Sequence, residues 1–169
     1  MCRAFAVAKR RANFAAPFRR ALCTQRRHLV GAWSEDNFGN DDAGDWVCEL
    51  EKSKGFDVLM NPINLVLSQE GYLESPDCAE ALAAAEVIAA SVSGDTSFIP
   101  KELGVWLEKK QGILFGKRPQ IDATHAMQAL AAVKKILAGS ELQELWEEGG
   151  ENGAWRAVQS KLISRLENT

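Results

Sequence analysis

The stretch Ser75-Pro76-Asp77-Cys78-Ala79-Glu80-Ala81-Leu82-Ala83-Ala84-Ala85-Glu86-Val87-Ile88-Ala89-Ala90 decides the fold. Ser75 offers a capping hydroxyl and Pro76 suits a first helical position. Asp77 stands where the positive end of a helix dipole favours an acid. The pattern predicts a helix from Ser75 to about Val92, closed by Gly94-Asp95. Alanine fills most of its middle, so neighbouring helices can approach closely. Glu86 is the one polar side chain between Ala83 and Ala90.

Working outward, the punctuation stays helical. Gly31 to Gly39 reads as an irregular lead-in loop. Asn40, Asp41 and Asp42 then offer cap oxygens to a helix carrying Trp46, Val47 and Leu50, with Asp45 in support. Asn61-Pro62 reads as the start of a short apolar helix through Leu67 that ends near Gly71. After Pro100, Leu103, Trp106 and Leu107 recur at helical spacing, and Gly112 and Gly116 bracket a loop. Asp122 caps a longer helix whose predicted apolar side is Met127, Leu130, Val133 and Leu137. Ser140 to Gln143 has the form of a capping box, opening a helix with Leu142, Leu145 and Trp146. A last helix carries Trp155, Val158, Leu162 and Leu166 on one stripe. No hairpin signature or internal repeat interrupts this series. The expectation is an all-α fold, a single compact domain of six or seven short helices.

The chain has 169 residues, 46% of them hydrophobic, which suits one domain and excludes a large multidomain enzyme. Its net charge of -3 conceals a division. Residues 1–30 hold eight basic side chains and no acid. From Gly31 onward, 12 basic side chains face 23 acidic ones, a net charge of -11. An acidic domain repels phosphate backbones and attracts basic partners, so direct nucleic-acid binding is disfavoured. The basic head, 1–30, has two readings: a targeting segment, or codons upstream of a start at Val30 and foreign to the native protein. Pro17 interrupts it as an amphipathic helix, and no stretch approaches the roughly 20 apolar residues of a membrane span. A cytoplasmic location without membrane contact is expected. Cys2, Cys23, Cys48 and Cys78 lack any zinc-type spacing and read as reduced thiols.

Candidate chemistry is sparse. Asp36, Asp41, Asp42 and Asp45 form an acidic cluster whose spacing does not match a calcium loop, and helix capping accounts for it better than a metal. Glu86, if buried, needs donors and is read as a structural carboxylate, with Trp33 offered as one donor. His28 and His125 match no nucleophile, and no glycine cluster forms a phosphate loop. No catalytic residue, no metal and no cofactor is expected. A metal-dependent hydrolase would require the aspartates and Glu86 to converge on an open cleft.

Gly31-Ala-Trp33, the run Asn37-Phe-Gly-Asn-Asp-Asp-Ala43 and Asp45-Trp46 resemble the opening of the bacterial family called domain of unknown function 4259. Tyr72 to Pro76, Ala81 to Ala90 and Ser140 to Glu147 extend the resemblance over residues 31–169. Ser34 departs from it, standing where a glycine is common. The resemblance implies no catalytic residues. Its context implies an immunity protein that binds and neutralises a toxic effector, with a basic nuclease suited to the acidic surface. Trp33, Asp36, Asp41, Asp42 and Asp45 are the candidate partner contacts, with Trp33 or Trp106 as a candidate anchor, although core packing is the favoured reading of both tryptophans. The alternative is a homodimeric scaffolding module using the alanine-rich helix or the Trp155 to Leu166 stripe.

Overall fold

A computed structural model describes residues 34–111, 121–150 and 152–168. Trp33, the basic head and the Gly112–Gly116 loop lie outside the described residues. Within them the chain forms seven helices and no strand: α1 (Asp41–Lys52), α2 (Asp57–Ser68), α3 (Ser75–Ser93), α4 (Lys101–Gln111), α5 (Ala123–Ala138), α6 (Glu141–Glu148) and α7 (Asn152–Glu167). The fold is all-α, and no helix among the described residues is long and apolar enough to cross a membrane.

Helix α3 is the axis of the molecule. Every residue from Ala81 to Ala90 is buried, so the helix has no solvent face there. It packs most extensively on α5 and α2, and also on α1, α6 and α7. A helix apolar all round is stable only with cover all round, and small side chains let that cover come close. Gly94 ends it in the left-handed region at φ 76°, with its N–H bonded to the Ala90 carbonyl. The start differs from expectation. Ser75 is the first helical residue, and its backbone N–H donates to Glu141 Oε2 of α6 at 2.7 Å. Glu141 returns the bond, its own N–H reaching the Leu73 carbonyl at 3.0 Å. The cap of α3 is therefore a tertiary clasp, with the carboxylate set against the positive end of the helix.

Two further expectations shift for physical reasons. Helix α2 begins at Asp57, so Pro62 sits inside it. Proline has no N–H for the carbonyl four residues back, which is Val58. That carbonyl accepts instead from the Trp46 indole Nε1 of α1 at 3.3 Å. In α5 the buried face is Ala126, Ala129, Ala132, Val133 and Ile136, while Met127 is 62% exposed. The larger side chains yield because alanine lets α5 approach α3. Lys135 Nζ, from the same helix, caps α2 through the carbonyls of Val66, Leu67 and Gln69. Several caps form as read. Asn40 accepts from the Ala43 N–H at 2.8 Å, Asp122 accepts from Thr124 and His125, and Ser140 accepts from the Gln143 N–H, although the Gln143 side chain turns to Glu147 and leaves that capping box half formed. His125 completes the second cap, its Nδ1 accepting from the Asp122 N–H.

The thiols divide. Cys78 is free and fully buried, and burial pushes its thiol up to about 11. Cys48, half-buried on α1, is disulfide-bonded, which corrects the expectation of a wholly reduced set. A half-buried sulfur is open to oxidation where an enclosed one is not.

Candidate functional site

Glu86 is 3% exposed and does have donors, although they are not the ones expected. Asn37, in the loop before α1, donates from Nδ2 to Glu86 Oε1 at 3.0 Å. Arg165 of α7 pairs with Oε2 through Nη2. Gln159, fully buried on α7, donates from Nε2 to Asn37 Oδ1 at 2.6 Å. The Arg165 guanidinium lies 3.9 Å from the centroid of the Phe98 ring. One chain of polar contacts thus joins the lead-in loop, α3, α7 and the α3–α4 connection through the core. Burial pushes the Glu86 carboxyl above its usual range, although the hydrogen bond and charge of Arg165 and the Asn37 amide draw it down. The nearby charge of Asp36 adds to the rise.

The lead-in loop is held by its own side chains. Asp36 accepts from the Phe38 N–H and from the Ser34 hydroxyl, both at 2.8 Å. A β-carbon on Gly39 would lie 2.3 Å from the Ser34 β-carbon. Serine is accommodated at 34 because position 39 has no side chain. A crevice lined by Ser34, Asp36, Asn37, Asn40, Ala79, Leu82, Leu142, Trp146 and Trp155 has a volume of about 10 Å³, room for about one water.

The acidic residues form a face, not a cleft. Asp41, Asp45 and Glu49 are exposed at four-residue intervals along α1, which puts them on one side of the helix. Glu80 of α3 is half-buried beside them, and burial raises its carboxyl together with the charges of Asp77, Glu49 and Asp42. The charges of α1 thus reach Glu80 on α3. Asp36 is exposed on the preceding loop. Among the described residues, no group of three or more His, Cys, Asp or Glu side chains could hold a metal ion. Glu86 faces Asn37 and Arg165 and is closed to solvent, so it does not join the aspartates in an open cleft.

Trp33 lies outside the described residues, as anchor and as donor to Glu86. Trp106 is 4% exposed and meets Phe56 edge-on at 5.9 Å, which is the core packing favoured for it and leaves it no role as a partner anchor. Both faces expected of a homodimer are occupied within the chain: the alanines of α3 are buried, as are Trp155, Leu162 and Leu166. Sequence reasoning missed Asn37 and Arg165 as partners of Glu86, and Gln159 as the donor that holds Asn37. A usable signal existed for Gln159, which falls in register with Trp155, Leu162 and Leu166 on the apolar stripe where Val158 was expected. Arg165 carried no such signal.

No curated protein and no solved structure is significantly similar to this chain. The family described as Domain of unknown function (DUF4259) matches residues 31–158. That span takes in the lead-in loop, Glu86 and the acidic face, so the chain belongs to the DUF4259 family.

Proposed function

We propose that this protein is a non-catalytic binding protein, an immunity protein that neutralises a basic toxic effector such as a nuclease by covering its active cleft. The observation that carries the reading is the charge: -11 for residues 31–169, with Asp41, Asp45 and Glu49 aligned and exposed on α1. An acidic face of this kind is attracted to a cleft built to hold phosphate and competes there by charge. The clasped loop and buried Glu86 support it by fixing α1 against α3, so the carboxylates are presented on a rigid surface. Asp36, Asp41, Asp42 and Asp45 are the contacts in this reading, and no cofactor takes part.

The test is capture from the native bacterium with the full chain as bait, at low and high salt. The captured protein is then assayed for nuclease or growth-arresting activity with and without the bait. A basic protein that loses its activity on binding is expected. Joint replacement Asp41→Lys, Asp45→Lys and Glu49→Lys should slow its association about tenfold or more. Recovery of the bait alone would replace this reading with self-association, and capture insensitive to salt and to these changes would remove the electrostatic mechanism.

A further inference from the structure

One place on this acidic molecule has the opposite character. An open groove of about 350 Å³ runs along α7, lined by Phe98, Ser160, Lys161, Ser164 and Arg165. Its volume falls within the roughly 300–1,000 Å³ of small-molecule sites. No acidic side chain lines it. Lys161 is exposed and forms no ion pair among the described residues. Phe98, 45% exposed, presents a large apolar ring at the surface.

The second observation lies below that ring. Arg165 uses Nη2 on Glu86, but its Nε and Nη1 are buried without a hydrogen-bond partner. Buried guanidinium donors left empty are costly, and native structures rarely keep them without a reason. The Phe98 ring stacks on this guanidinium through a cation-π contact, which satisfies the face of the group and leaves its in-plane donors unfilled. Phe98 belongs to the short connection between α3 and α4, outside any helix.

We propose that the groove between Phe98 and α7 binds a carboxylate carried on an apolar group. The apolar part packs on Phe98, and the carboxylate meets Lys161 at the rim, drawn to the Arg165 guanidinium beside it, whose donors are only partly used. This site is independent of the acidic face and of the effector reading.

Benzoate is the probe, titrated against the full chain while backbone amides are followed by NMR. Benzamide serves as the uncharged counterpart and inorganic phosphate as the anion without an apolar part. Saturable shifts confined to Ser160–Arg165 and the Phe98 connection are expected, with a dissociation constant of about 1–10 mM. Lys161→Ala, an exposed change that leaves the fold intact, should weaken binding about fivefold. Phe98→Ala should weaken benzoate while leaving phosphate unaffected. Equal binding of benzamide would reduce the groove to an apolar patch. Equal binding of phosphate would reduce it to a general anion site, and shifts that persist in both variants would mark an adventitious additive only. Any of these outcomes, or the absence of saturation, overturns the proposal.

Discussion

Asn37 joins the lead-in loop to both α3 and α7 by side-chain hydrogen bonds. It spends its amide nitrogen on Glu86 and its oxygen on Gln159, all three of them buried. Asn37→Ala takes one of two partners from Glu86, which keeps Arg165, and leaves the buried Gln159 amide nitrogen unfilled, and should cost about 1–3 kcal/mol, read from urea unfolding. The carboxylates here respond to pH in opposite directions. Glu86 is raised above its ordinary 4.5, so its contribution to stability is fully present below that value and is lost as pH rises through the folded pKa. Asp122 is lowered below 3.8 by the backbone N–H groups of His125 and Thr124, so its contribution is present above 3.8 and is lost as pH falls through the folded pKa. Carboxyl-carbon NMR titration should place Glu86 above 4.5 and Asp122 below 3.8. A Glu86 midpoint at or below 4.5 would mean that Arg165 outweighs burial. The isolation of Glu86 between Ala83–Ala85 and Val87–Ala90 made its burial readable from sequence alone, whereas Arg165 is 79 positions away and no local pattern joins them.

Helices α1 and α2 are coupled by a defect. Pro62 withholds the N–H that Val58 would accept, and Trp46 supplies one from another helix. Trp46→Phe should therefore cost about 1–3 kcal/mol beyond its change in packing. In a Pro62→Ala background, where residue 62 regains its N–H, the same change should cost less, and a double-mutant cycle on unfolding free energies measures the difference. Equal costs in both backgrounds would show that the indole contributes by packing alone. At the α5 contact, Ala129→Leu forces a large side chain into a fully buried position and should lose about 1–3 kcal/mol or more on thermal or urea unfolding. Caps were the most legible elements, because Asn40, Asp122 and Ser140 act within three residues of themselves. The rotation of α5 was not legible, since Met127 and Leu130 satisfy helical periodicity as well as Ala126 and Ala129 do. What selects the alanines is the closeness of α3, a tertiary fact. The start of α2 was misplaced because proline is more often first in a helix than sixth.

Across the whole molecule, the all-α class was readable because every break carries glycine, proline or a cap and no segment alternates. The division of charge was equally plain, but its arrangement was not. That Asp42, Glu49, Asp77 and Glu80 share a field depends on how α1 lies against α3. Enclosure of α3 has a consequence for how the gene tolerates change. A surface helix accepts substitution with a period of about 3.6 residues, as its solvent side turns past. From Ala81 to Ala90 no side turns to solvent, so a saturation library scored for folded protein should show ten consecutive intolerant positions with no period. Over α1 the same library should show tolerance returning at Asp41, Gly44, Asp45 and Glu49 and disappearing at Ala43, Trp46 and Leu50. The centre of this molecule would then be recognisable in mutational data as an unbroken block, a signature more often associated with a buried strand than with a helix.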